Sequence, residues 1–348
     1  MNNNFHPIEG DYLETKKDNF LFDVKGLRHP KNRTICFLRF VPHLDGGRKR
    51  NGVSYKKIYD LQERYSYLQE NYPKYLFYSQ NYDLELQGVL NEDIKNIFTP
   101  NECLLRLKKK SNPTKAQEKS VDLCNLLMDE GGIGESSIGI TGSQMVNLNK
   151  EDSDIDLVIY GTDTSKRLQE VLPQIFDAAN GCRKYTFEEF KDHYQFRAGG
   201  SGVSFNDFMK SESRKLHQGR FQGYDFFIRY IKSPEDWRGT YYDYQYKNFG
   251  RVQLKAQIFD ASDSLFTPCS YKIKTNTILN RAGKEAELDS EDITEVSSYR
   301  GRFCEHAEQG DMVMVEGKLE QVRYKNEDPY YRVLLGNQKA DKMIIISN

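Results

Sequence analysis

The chain has 348 residues, enough for two or three domains of ordinary size. Lys and Arg total 50 against 51 Asp and Glu, a formal net charge of -1 that excludes a histone-like polycation but leaves a local basic face open. With 20 Phe, 23 Tyr and 38% hydrophobic residues the chain buries enough surface to exclude disorder throughout, and no apolar run approaches the roughly 20 residues of a membrane helix.

Short apolar runs between turn residues predict strands at 20–25 and 34–41. Asp45-Gly46-Gly47 is a turn, and the basic cluster Arg48-Lys49-Arg50 after it reads as a solvated loop. The spacing of Leu61, Tyr65 and Leu68 predicts a helix over 59–71 that stops before Pro73. A second helix at 101–110 ends in Lys108-Lys109-Lys110, cations that suit a helix C-terminus. Ser111-Asn112-Pro113 marks a boundary. Thr114 caps a helix to Glu130 with Val121, Leu123, Cys124, Leu127 and Met128 inward, and Gly131-Gly132 ends it. Strands follow at 137–141, 156–160 and 224–231, with helices at 165–179 and 187–196. The uninterrupted apolar run at 156–160 reads as buried on both faces. Beyond Pro234 the segments 252–259, 312–322 and 330–335 alternate, which predicts a small barrel.

Three domains are expected: a basic, β-rich α+β domain at 1–112, an α/β domain with a mixed sheet at 113–235, and a β-rich, barrel-like domain of the oligonucleotide-binding type at 236–348. The first carries 19 Lys/Arg against 14 Asp/Glu, the second 15 against 19, the third 16 against 18. Cys36, Cys103, Cys124, Cys182, Cys269 and Cys304 are scattered without a CxxC pair, and the six histidines are equally dispersed, so structural zinc and a disulfide framework are disfavoured. The N-terminal MNNNFHPIEG has neither the basic start nor the apolar stretch of an export signal, so a cytoplasmic protein is expected, with no membrane partner.

One stretch carries chemistry: an apolar strand into Gly142-Ser143, ten residues, then Asp154-Ile155-Asp156 opening the next apolar strand. Period two places Asp154 and Asp156 on one side, where two carboxylates repel unless a cation lies between them. Hard divalent ions with oxygen ligands, Mg²⁺ above all, suit that arrangement. Backbone N–H groups and the Ser143 hydroxyl at a helix start offer donors to phosphate oxygens.

This conjunction resembles the nucleotidyltransferase superfamily that includes DNA polymerase beta, in particular its minimal archaeal and bacterial members. The three-segment layout is similar to that of an uncharacterised archaeal multi-domain group. The resemblance covers about residues 114–231. It implies that Gly142 and Ser143 contact nucleotide phosphates and that Asp154 and Asp156 hold two Mg²⁺ ions, with Mn²⁺ as a substitute. It also implies a third carboxylate from a later strand, for which Asp225 is the match. Where many minimal members carry Arg and Gly after the Gly-Ser pair, this chain has Val146 and Asn147.

The implied activity is two-metal transfer of a nucleoside monophosphate from a nucleoside triphosphate to a hydroxyl acceptor, an RNA or DNA end among the candidates, with pyrophosphate leaving. The competing reading is an adaptor or nucleic-acid-binding protein whose transferase site is inactive. Arg214, Lys215 and Arg220 precede the Asp225 strand within reach of a triphosphate. A polyanion at the acidic middle segment needs cations from 1–112, for which Arg28, Lys31, Arg33 and Arg48-Lys49-Arg50 are the candidates.

Overall fold

The computed structural model describes residues 7–176, 178–283 and 288–346; residues 1–6, part of the stretch read above for an export signal, lie outside it. The architecture is α+β with three sheets. No helix among the described residues is long and apolar enough to cross a membrane.

The first sheet is antiparallel throughout. Its strands are β1 (Tyr12–Thr15), β2 (Leu21–Val24), β3 (Arg33–Pro42), β4 (Arg48–Arg50), β5 (Val53–Lys57), β6 (Leu76–Ser79), β7 (Leu84–Leu90) and β8 (Ile94–Phe98). The order is β4-β5-β3-β2-β1-β8, with β7 on the first residues of β3 and β6 on β7. Leu13, Phe22, Val24, Cys36 and Leu38 are fully buried and pack with Leu68 of α1 (Leu61–Asn71). Each such side chain withdraws surface worth about 2 kcal/mol of transfer free energy. The Arg48-Lys49-Arg50 triplet is a strand, contrary to the loop expected from composition. Asn51 and Gly52 at φ 50° and 80° form the two-residue turn that suits twisted antiparallel strands, and Arg48 pairs with Tyr55 across it. Pairing, and no apolar pattern, makes β4.

Helix α2 (Pro100–Lys108) leads to α3 (Lys115–Gly131), where Thr114 and Gln117 form the reciprocal cap and Gly132 closes the helix left-handed at φ 58°. The second sheet has the order β11-β12-β13-β10-β9, from β9 (Ile138–Ile140), β10 (Ile155–Tyr160), β11 (Cys182–Arg183), β12 (Gln218–Phe221) and β13 (Tyr224–Ile231). It is mixed: β10 and β13 run parallel, and the other pairs are antiparallel. Among the helices between its strands are α4 (Gly142–Met145) after β9 and α5 (Thr162–Ile175) after β10. In β10 only Asp156 and Tyr160 escape full burial, which is why its sequence reads as one apolar run.

Helices α6 (Phe187–Ala198) and α7 (Phe205–Glu212) precede the third sheet, which contains β14 (Tyr244–Asp260), β15 (Cys269–Ala282), β16 (Ile293–Ser298), β17 (Met312–Tyr324), β18 (Tyr330–Leu334) and β19 (Lys342–Ile345). Five of these strands close a ring, β14-β15-β16-β18-β17 and back to β14, with β16 and β18 parallel and β19 added on β17. Its interior holds Leu254, Ala256, Cys269, Val315, Leu319 and Val333, all fully buried.

Each sheet falls within one of the three expected segments. By compactness the chain forms two units. One contains the described residues of Met1–Ser79, Leu84–Arg183 and Gln218–Tyr241, and the other those of Gln80–Asp83, Lys184–His217 and Tyr242–Asn348. The first two sheets therefore share a unit, while α6 and α7 belong with the third. All six cysteines are buried free thiols.

Candidate functional site

The centre of interest lies within the first unit, where β9 ends beside the start of β10. These strands are antiparallel, Leu157 opposite Ile140, and the Thr141 N–H donates to the Asp156 carbonyl at 2.9 Å. The chain then turns at Gly142 with φ 70°, and its Cα lies directly against the Asp156 carboxylate, so close that a Cβ there would overlap Oδ2. Ser143 follows, almost wholly buried, and its carbonyl accepts the Leu148 N–H at 2.8 Å to fold the loop back. Gln144 donates to the Asp154 carbonyl at 3.3 Å, and its Oε1 is buried with no hydrogen-bond partner. Asp156 is half-buried at the turn and Asp154 is exposed just before the strand. The structure thus brings Gly142, Ser143, Asp154 and Asp156 together.

Asp225 lies on the neighbouring strand, with Arg220 on its carboxylate. The parallel register pairs Ile155 with Phe226, so Asp154 and Asp225 each immediately precede that pair. The Asp225 carboxylate accepts from Arg220 at 3.0 Å across the β12–β13 hairpin. Among the described residues no group of three His, Cys, Asp or Glu is placed to hold a metal ion. The two carboxylates at the start of β10 nevertheless fit Mg²⁺ of the substrate-borne kind, which takes one or two carboxylates and fills its shell with phosphate oxygens and water. The other expected cations are engaged elsewhere: Arg214 pairs with Asp311 at 2.7 Å, and the buried Lys215 pairs with Glu212 and donates to the Arg302 carbonyl at 2.5 Å.

The first sheet does bring positive charge to Asp156, only partly through the residues expected. Arg48 donates to the Leu148 carbonyl, in the loop that follows Gly142-Ser143. Arg50 instead forms a two-pronged bond with Glu14 at 3.0 Å, and Arg33 lies over Phe77 while donating to the Gly88 carbonyl at 3.0 Å. The cations that sequence reading missed are Arg39, Lys57 and Arg229. Burial lowers the Lys57 ammonium from its usual range, and Arg39 beside it lowers it further while Asp156 pulls the other way. Arg229 was legible only as a lone cation in the apolar run of β13.

Beneath these groups lies an ionic cluster built on Asp23-Val-Lys-Gly26. Glu9, with no exposed side-chain surface, accepts from Lys25 at 2.9 Å, Arg229 at 2.6 Å and the Gly26 N–H at 2.6 Å. Lys25 also meets Asp23 at 2.9 Å. Burial alone would raise the Asp23 carboxyl, but Lys25, Arg229 and Arg39 hold it below the usual carboxylate range. Burial would lower Arg229, yet Glu9, Asp23 and Asp156 raise it above its ordinary value.

Among the described residues Asp11 nearby has no cationic partner to offset its burial, which pushes its carboxyl from 3.8 up to about 7, with Glu102 and Glu9 adding to the rise and the Ile8 N–H opposing it. The folded state therefore holds this proton more tightly than the unfolded chain. The associated stability is present at acid pH and is lost as pH climbs from about 4 to about 7. In Asp11→Asn, urea midpoints at pH 5 and pH 8 are expected to converge. At pH 8 the variant should exceed the parent by on the order of 2 kcal/mol.

In the second unit the Arg302-Phe-Cys-Glu305 motif has structural partners. Glu305 accepts the Leu216 N–H at 2.7 Å and meets His217 at 3.0 Å, and the Cys304 thiol donates to the Phe266 carbonyl at 3.3 Å. Tyr82, Tyr244 and Tyr246 stack on one another, with ring centroids 5.0 and 5.9 Å apart.

An uncharacterised protein of Methanocaldococcus jannaschii is 28% identical to this chain over 337 residues, covering 94% of this chain and 95% of the relative. No family model matches the chain, and no solved structure matches it.

Proposed function

We propose that this chain is a metal-dependent nucleotidyltransferase that joins a nucleoside monophosphate to a hydroxyl acceptor and releases pyrophosphate. The observation that carries the reading is the seating of the Asp156 carboxylate against Gly142, which brings the Gly-Ser turn and the Asp-x-Asp strand together. Asp154 and Asp156 would hold Mg²⁺, or Mn²⁺ in its place. The ion supplies charge neutralisation on the triphosphate and lowers the barrier to attack by the acceptor oxygen.

The chain's own part is positioning. Ser143 and the backbone of its turn face the phosphates, and Asp154, exposed at the strand start, accepts the acceptor's hydroxyl proton. The new oxygen–phosphorus bond forms at the α-phosphorus as the bond to the β-phosphate oxygen breaks. Asp225, paired with Arg220 through one carboxylate oxygen, would offer the other as a third carboxylate ligand. A nucleic-acid end as acceptor fits the third sheet, whose ring order in chain sequence, first-second-third-fifth-fourth, supports an oligonucleotide-binding-type barrel. A cytoplasmic setting suits nucleoside triphosphate as substrate.

The test is incubation with each α-labelled nucleoside triphosphate and Mg²⁺, against RNA, DNA and the protein itself. Label transfer is expected, and Asp156→Asn should lower it at least 100-fold while the far-ultraviolet dichroism stays unchanged. Failure to bind any nucleoside triphosphate, or full activity in that variant, overturns the proposal. The pairing of Asp225 with Arg220 favours a second reading, an adaptor with a retired site. Absence of transfer combined with retained oligonucleotide binding would select it.

A further inference from the structure

Arg39, Arg48 and Lys57 come from three adjacent strands or strand ends of the first sheet and converge on two rings. Lys57 Nζ lies 4.6 Å from the centroid of Tyr59 and 6.0 Å from that of Phe40. The Arg39 guanidinium lies 5.8 Å from Tyr59, and that of Arg48 lies 5.8 Å from Phe40. Three like charges are thus gathered around a pair of aromatic rings.

Elsewhere in this sheet Lys25, Arg50, Lys56, Lys74 and Lys95 each meet a carboxylate within 4 Å. Among the described residues Arg39, Arg48 and Lys57 make no such ion pair. The Arg39 Nε is buried without a hydrogen-bond partner although the field of Asp23 reaches the guanidinium, and Arg48 donates to a backbone carbonyl and, with Lys57, to the Tyr59 hydroxyl. Asp156 is the acid whose field reaches Lys57, and Arg229 shares it. Grouping half-desolvated cations is costly unless an anion completes the group.

The turn they face lacks cations of its own. From Gly142 to Asn149 the sequence is Gly-Ser-Gln-Met-Val-Asn-Leu-Asn, and Val146, at the position where an Arg is common in the resembled family, has no exposed surface. Arg48 is fastened to this same loop through Leu148.

We infer that Arg39, Arg48 and Lys57 form a polyphosphate site that receives the outer phosphates of a nucleoside triphosphate whose α-phosphate lies at Gly142-Ser143. The inference rests on the nucleotidyltransferase reading for the identity of the ligand, while its anion chemistry stands on the cations alone. Tripolyphosphate, with neither base nor reactive acceptor, separates the two.

The experiment is calorimetric titration of the full chain with sodium tripolyphosphate in 20 mM salt and EDTA. Binding is expected to weaken steeply as salt rises. The double variant Arg39→Gln/Lys57→Gln should weaken it at least tenfold while leaving the thermal midpoint equal or higher, since like-charge repulsion is removed. Lys56→Gln, one residue away but paired with Glu63, changes net charge in the same direction and should bind like the parent. Undetectable binding by the parent, equal binding by the double variant, or an equal loss in Lys56→Gln overturns the site. So does binding of a single-stranded oligonucleotide without binding of tripolyphosphate. If tripolyphosphate binding is lost as expected but the parent transfers no nucleotide, the anion site stands and the transferase reading falls. If transfer occurs with an unchanged KM for the triphosphate in the double variant, the site falls and the transferase reading stands.

Discussion

Gly142→Ala is expected to abolish nucleotide transfer and to lower the thermal midpoint of the first unit by several degrees. Two costs add at this position. The residue sits at φ 70°, where a Cβ meets the following carbonyl and costs about 1–2 kcal/mol. The new methyl must also displace the Asp156 carboxylate, whose Oδ2 it would overlap. Gly132, left-handed at φ 58° with open space within 4 Å of where a Cβ would stand, isolates the first cost. Gly132→Ala should therefore lose about 1 kcal/mol and keep full activity. Differential scanning of both variants, alongside the labelling assay, separates strain from displacement. Equal midpoints and retained transfer in Gly142→Ala would show that Asp156 is not seated as described.

The second large effect concerns Glu9. Its carboxylate is fully buried and holds Lys25, Arg229 and the Gly26 N–H at once. Glu9→Ala leaves two partly buried cations with Asp23 as their remaining close acid, and a loss of about 3 kcal/mol is expected from charges left short of a partner. Combining it with Arg229→Met removes one of those cations and restores apolar packing in β13. Urea titration of the double variant should recover more than half of that loss. A double variant as unstable as the sum of the single ones would mean that the cluster is not energetically coupled.

What could be read from the sequence followed the kind of force involved. Helix α3 was visible because Thr114, Gln117 and Gly132 cap it and Leu123, Cys124 and Leu127 repeat on one face. Strand β10 was visible because burial on both sides demands an apolar run. Strand β4 was hidden, since Arg-Lys-Arg has no apolar signature and takes its form from pairing with β5 through Asn51-Gly52. Strand β15 was hidden for a related reason: Lys272, Lys274 and Asn276 point outward from a ring whose interior needs only every second side chain. At the site, Gly142, Ser143, Asp154 and Asp156 belong to one local motif and were found together. Arg39 and Lys57 reach them from another sheet, and nothing in their own neighbourhoods distinguishes them from surface cations. Asp225 matched by order along the chain, but only the hairpin register reveals that Arg220 claims its carboxylate.

The order in which the two compact units draw on the chain bears on synthesis at the ribosome. The first unit lacks its β12–β13 hairpin until residues 218–241 have emerged, so the parallel partner of β10 arrives late. Helices α6 and α7 emerge earlier still, yet Phe190 and Phe208 pack in a cluster completed by Met314 and Ile344. Those aromatic faces must wait, wet and unpartnered, while more than a quarter of the protein is made, which gives the nascent chain a defined interval of need for a holding chaperone.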